Sequence, residues 1–309
     1  MKTRREAIKA AMAATAFVTT AWQAPPSRAA VSGAAQPGAG SVSVIAPDDA
    51  TFAQLLDQNF PLLSQNPNFA QIGHTAVLVT NSGSRAVYGY RVKWTSVKAG
   101  EPPDQYKRRF VSRPTIQLLA RQNTAQVQLL GAGETALVTP FFSWTSQYFQ
   151  AQASRANFTA GRLRSYQGRN GLAYGFSKRA KNADSVSVAL EAVAFPDVVV
   201  GPRKDSFARY INSLRNAEHD QALAISQAFQ AQSSSASIQP ESPEFHRILF
   251  AQTLSSLGIA STPTWTARSY AKSKKRFAER MRHLFNVDSS KAQSVLTQVQ
   301  SVPRSSFTT

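Results

Sequence analysis

The sequence predicts an α+β protein: an antiparallel β-sandwich with one helix before it and further helices after it. Three observations point there. Residues 72–94 read IGHTAVLVTNSGSRAVYGYRVKW, two strand-like runs about an Asn-Ser-Gly-Ser turn. Short strand-like segments separated by turn residues then recur as far as Val200. Outside that stretch, apolar residues repeat at helical spacing. The chain has 309 residues, 42% of them apolar, which is enough to build a packed core.

Residues 1–29 read as an export signal. Thr3-Arg4-Arg5-Glu6-Ala7-Ile8-Lys9 resembles a twin-arginine motif. Residues 10–22 are a short apolar stretch rich in Ala and Thr, and Ser27-Arg28-Ala29 puts small residues at the −3 and −1 positions of a cleavage site. The expected destination is the periplasm or the exterior. No later run approaches the ~20 apolar residues needed to cross a bilayer, so no transmembrane segment is expected after cleavage. Without any Cys, disulfides, thiol nucleophiles and Cys metal sites are excluded. The net charge is +18, and the leader holds only Lys2, Arg4, Arg5, Lys9 and Arg28 against Glu6, so the remainder stays strongly basic. Such a charge suits anionic partners.

In order along the chain, residues 30–47 are small and polar enough to read as a flexible linker. Residues 48–71 form an N-terminal helical segment: Asp48 or Asp49 caps it, and Phe52, Leu55, Leu56 and Phe60 share a face. The β-sandwich spans 72–202. Its opening hairpin alternates Tyr88, Tyr90, Val92 and Trp94 on a buried side with Val87, Gly89, Arg91 and Lys93 on a wet one. Strands follow at 115–119, 124–130 and 135–139, with Gly131-Ala132-Gly133-Glu134 as a turn. Residues 135–183 contain no acid and read as a long excursion, an extended hairpin. In the strand 185–195, Val186, Val188, Leu190, Ala192 and Ala194 share one face and Glu191 points to solvent. Residues 203–232 form a helix packed on the sandwich, 233–243 a linker, 244–300 a helical region and 301–309 a tail. Within the helical region, residues 264–285 line Tyr270, Phe277, Met281, Leu284 and Phe285 on one side and cations on the rest.

Two of these segments, AVLVTNSGSRAVYGYRVKW and VALEAVAFPDVVVGPRKDSFARYI, resemble uncharacterised secreted bacterial β-sandwich proteins of the immunoglobulin- or fibronectin-III-like kind. The resemblance covers residues 72–211. It implies an Ig-like sandwich with an appended helix and implies no reaction.

Catalytic chemistry has little to stand on. His74, His219, His246 and His283 are far apart and make no metal-binding spacing. Asp48/Asp49 and Glu241/Glu244 sit at helix starts, where capping accounts for them. No G-x-S-x-G or phosphate loop occurs, so no catalytic residue, cofactor or metal is assigned. The basic features carry more. Arg155, Arg162, Arg164, Arg169, Lys178, Arg179 and Lys181 lie among Phe158, Tyr166, Tyr174 and Phe176, a composition that grips polyanions by charge and stacking. The helix 264–285 has a broad cationic face, and its apolar stripe reads as core-facing rather than membrane-lying.

The expected function is therefore a non-enzymatic exported binding or structural module. Its partner would be an anionic envelope polymer, lipid head groups or an acidic protein. The alternatives are an envelope-polymer hydrolase, which would need His74, Glu191 or Asp197 clustered in a cleft, and a nucleic-acid-binding protein, against which the export signal argues.

Overall fold

A computed structural model describes residues 30–34, 41–61, 63, 66–112, 129–146, 171–232, 243, 245 and 265–301. Nine strands and six helices lie among them. The strands are β1 (Ala30–Ala34), β2 (Val42–Ile45), β3 (Val77–Asn81), β4 (Gly89–Val97), β5 (Asp104–Val111), β6 (Thr135–Val138), β7 (Ser143–Thr145), β8 (Ser185–Ala194) and β9 (Val199–Val200). The helices are α1 (Phe52–Asn59), α2 (Pro67–Gly73), α3 (Gly171–Ala180), α4 (Lys204–Gln232), α5 (Trp265–Val287) and α6 (Ser289–Ser301). The α+β class is as expected.

The strands form two sheets. The first runs β1-β8-β4-β5, with β9 also paired to β8; the second runs β2-β3-β6-β7. Pairing is antiparallel except for β1, which lies parallel to β8 with Ala30 opposite Ser185. The stretch expected to be a linker thus supplies two strands. Its small residues look like a linker by composition, but ladder pairing is made by the backbone and needs no large side chain.

The expected hairpin is not one. β3 pairs with β2 and β6, whereas β4 pairs with β5 and β8, so the turn between them crosses from one sheet to the other. Asn81 makes that corner. It is fully buried, and its side-chain amide donates to the carbonyls of Arg85 and Gly131, each at 2.8 Å. Turn chemistry marks a reversal without naming the strands that will pair.

Alternation then builds the layers. Val77, Val79, Ala136 and Val138 of the second sheet meet Tyr90, Val92, Trp94, Val186, Val188 and Leu190 of the first in one apolar cluster. Trp94 Nε1 donates to the Thr75 carbonyl at 2.9 Å, and the Tyr90 hydroxyl meets Ser143 Oγ at 2.5 Å. Burial raises the Tyr90 pKa and keeps the phenol neutral.

Leu78 and Leu137 face the other way, onto Phe52, Leu56, Phe60, Phe69 and Ile72 of the α1–α2 segment. Thr51, not the expected Asp48 or Asp49, is the N-cap of α1 and makes no side-chain cap; Asp49 instead accepts from the Thr51 amide at 2.8 Å and from its hydroxyl at 2.7 Å. These bonds, the backbone one foremost, hold its carboxyl below the usual range. Asn66 accepts from Asn68 N at 2.9 Å at the start of α2, with Pro67 in its first turn.

The first sheet changes face part-way. The β4–β8 register slips between Arg91 and Val92, which pair with Ala192 and Leu190, so Glu191 is the extra residue of a bulge. Val186, Val188 and Leu190 therefore face the second sheet, whereas Ala192 and Ala194 turn to the outside. This corrects the single face expected for that strand. Phe207, Ala208 and Ile211 of α4 cover the outer side. Gly201, at φ +106°, lets the chain enter α4 close to the bulge: a Cβ there would lie 2.8 Å from the Glu191 carbonyl oxygen.

The 29 residues of α4 span about 43 Å. Its second half leaves the sheet and packs on α5 and α6, where Ala222, Ile225, Phe277, Met281, Leu284, Phe285, Val295 and Leu296 form a separate core. Among the described residues no helix is long and apolar enough to cross a membrane. The expected strand 115–119, most of the strand 124–130, all but residue 243 of the linker 233–243, the tail 301–309 beyond Ser301 and residues 1–29 lie outside the described residues; of the segment after that linker, Phe245 is described, helical and buried against Phe285.

Candidate anion-binding surface

Of the seven candidate anion-binding residues, Arg155, Arg162, Arg164 and Arg169 lie outside the described residues. The described residues of the excursion are not one extended hairpin: they form the antiparallel β6–β7 pair and then a helix, α3, with Lys178 and Arg179 in its last turn and Lys181 just beyond it. Helical spacing explains it: Ala173, Phe176, Ser177 and Ala180 are buried, and the cations between them face water. Arg179 is already engaged, its Nε donating to Asp104 Oδ2 at 2.7 Å.

A second basic group lies beneath α4, where the sequence predicts a wet face. Arg91 is 7% exposed and Glu191 6%, and Arg91 Nε stands 2.6 Å from Glu191 Oε2. Neither atom has an aligned hydrogen-bond partner, so charge holds this contact. Arg91 also donates to Ser206 Oγ at 3.0 Å. Arg109 lies over the Tyr210 ring at 4.8 Å and Arg215 over Tyr88 at 5.2 Å. Burial, more than any neighbouring charge, lowers the pKa of both arginines. The Arg91–Glu191 pair is sealed between sheet and helix, with Arg109 and Arg215 half-buried beside it, and together they fix how α4 docks.

The residues a hydrolase would use are held apart. His74 Nε2 donates to the Ser177 carbonyl at 2.9 Å, Glu191 pairs with Arg91, and Asp197 pairs with exposed Arg85. Each has a partner of its own on a different element. Among the described residues, no three His, Asp or Glu side chains gather as a metal site. His219 meets Asp220 at 3.4 Å, His283 is exposed, and His246, Glu241 and Glu244 lie outside the described residues.

The third basic group is on α5. Its apolar stripe is core-facing: Phe277, Met281, Leu284 and Phe285 are buried against α4 and α6. Two cations turn inward with it. Lys274 is 3% exposed over the Tyr270 ring, and Arg280 approaches Glu218 at 3.8 Å. Burial lowers the Lys274 pKa, with Asp220 acting against it. Lys272, Lys275, Arg276 and Arg282 point outward. They fall at positions i, i+3, i+4 and i+10, one face of the helix, which they share with the single acid Glu279. None of these four enters an ion pair among the described residues.

At the corner where α5 meets α6, this face borders a cleft of about 570 Å³. Arg276, Arg280 and Lys291 contribute cations to it, Glu279 and Asp288 carboxylates, and Leu284 and Val287 apolar surface. Sequence reasoning found the cationic face but not the cleft. The signal was there in Val287-Asp288-Ser289, an apolar residue followed by a capping pair that breaks one helix and starts the next. Asp288 Oδ1 accepts from Lys291 N at 2.9 Å, which is that cap. Comparison of the chain with family models, curated proteins and solved structures found no match.

Proposed function

We propose that this chain is an exported module of the cell envelope. In this reading two sheets packed as an Ig-like sandwich carry a cationic helical hairpin that holds an anionic polymer. The resemblance of residues 72–211 to secreted β-sandwich proteins and the leader-like residues 1–29 support export and architecture.

The observation that carries the binding reading is the outward face of α5. Lys272, Lys275, Arg276 and Arg282 crowd one side of a helix with a single acid, Glu279, among them, and none of the four enters an ion pair among the described residues. Like charges three or four residues apart weaken a helix by a few tenths of a kcal/mol per pair. Glu279 offsets part of that repulsion, and the excess of positive charge that remains suits this face to an anion. The apolar side is spent on α4 and α6, which disfavours burial of this helix in a lipid surface.

Retention of the purified protein on an anionic matrix tests the reading. Retention should be strong at low salt and fall steeply as salt rises, because bound cations release counterions. Neutralising Lys272, Lys275 and Arg282 together to Gln should flatten that dependence. Equal retention of parent and triple variant at every salt concentration would refute it. N-terminal mass spectrometry of secreted material checks export, with Ala30 expected as the first residue and Met1 the contrary result.

A further inference from the structure

A bare polyanion needs only cations of one sign. The α5 stripe answers to that description, but the cleft beside it does not. Glu279 and Asp288 stand among Arg276, Arg280 and Lys291, where carboxylates would repel a simple polyanion. Val287, 71% exposed, adds an apolar surface that a hydrated ion has no use for. The groups are also held in place. Asp288 is fixed by the cap it gives α6, and Arg280 is backed by Glu218.

One ligand chemistry uses all three kinds of group. An acidic sugar has a carboxylate for an arginine fork, hydroxyls that donate to carboxylates, and a C–H face that lies on aliphatic side chains. The cleft's volume, about 570 Å³, is in the range of small-ligand sites. We propose that this cleft seats a uronate unit, so that the anionic polymer is an acidic glycan. Arg276 binds the sugar carboxylate, Glu279 accepts from a ring hydroxyl, and Leu284 with Val287 supports the ring. The assignment rests on the polyanion reading above and narrows it.

Titration calorimetry of the full chain with oligogalacturonate and with polyphosphate of matched charge tests this, because the variant Glu279→Ala separates the two by sign. Glu279 is exposed, so its removal leaves the core untouched. If the cleft holds a uronate, Glu279→Ala weakens oligogalacturonate binding about tenfold, the loss of one charge-assisted hydrogen bond. Polyphosphate binding is unchanged or tighter in the same variant, and Arg276→Lys, which removes the planar fork, lowers affinity for the uronate alone. If Glu279→Ala tightens both ligands or leaves oligogalacturonate unchanged, the sugar assignment falls and the polyanion reading stands. If the parent binds neither ligand, both fall.

Discussion

Helices cover the outer face of each sheet, and they do it by opposite chemistry. On the second sheet, Phe52, Leu56, Phe60, Phe69 and Ile72 lie on Leu78 and Leu137, and the interface is aromatic and aliphatic throughout. On the first sheet, α4 presses Phe207 and Ile211 onto small residues, Ala192 and Ala194, beside a buried Arg91–Glu191 pair and two arginines stacked on tyrosines. The dry interface gains from apolar area and is tolerant of register. The charged one gains less, because desolvation offsets most of the attraction between buried ions. It does fix geometry: Glu191 lies in the bulge, and only one placement of α4 puts Ser206 within reach of Arg91. That matters because α4 packs against α5 and α6, the helical hairpin that bears the cationic face.

The largest effect that would break this contrast belongs to the dry side. Phe69 is fully buried, and Phe69→Ala should cost about 4 kcal/mol in a denaturant titration. A loss below about 2 kcal/mol would mean that the cluster relaxes into the space and is no rigid partner for the sheet. The charged side comes next. Glu191→Ala strands a buried guanidinium and should cost roughly 3 kcal/mol. Replacing the pair together, Arg91→Met with Glu191→Leu, should recover most of that loss, since no unpaired charge is left. A double variant as unstable as the single one would show that packing around the bulge, and not charge pairing, carries this interface.

The contrast was only half legible beforehand. Periodicity gave α4 and α5 to within a few residues, because a helix is written in local spacing. The strand segments were legible but their partners were not, since pairing is decided between residues far apart in sequence. Asn81 looked like hairpin chemistry and is a corner between sheets. The bulge at Glu191 shifts the alternation by one residue, so Ala192 and Ala194 end on the side opposite to the one their parity suggests. Arg91 looked like a wet residue because a strand has no means of announcing a helix that closes over it from more than a hundred residues away. Conversely, Glu218 and Gln221, which interrupt the apolar stripe of α4, make sense once α5 is beside them: Glu218 faces Arg280. As for the surface, the cationic face of α5 was visible as composition. The cleft was not, because it exists only where two helices turn against each other.

A half-buried histidine beside the dry side sharpens the comparison by the smallest effect. His74 follows α2, and its Nε2 hydrogen bonds the Ser177 carbonyl of α3. Burial, foremost, holds its pKa below the ordinary 6.5; the hydrogen bond to Ser177 works against that, and Lys181 adds to it. The imidazole is thus held toward its neutral form, whereas Arg91 is paired with Glu191. Below 6.5 the unfolded chain takes up a proton that the folded chain does not, so the unfolded state binds more protons. Stability is then fully present above 6.5 and is lost progressively as pH falls through the lowered folded value. Denaturant midpoints at about pH 7.5 and about pH 5.5 should show this loss in the parent. His74→Gln keeps a donor for Ser177 but cannot titrate, so its midpoint should fall less between the two conditions. Equal falls would show that His74 is not the source of the acid sensitivity.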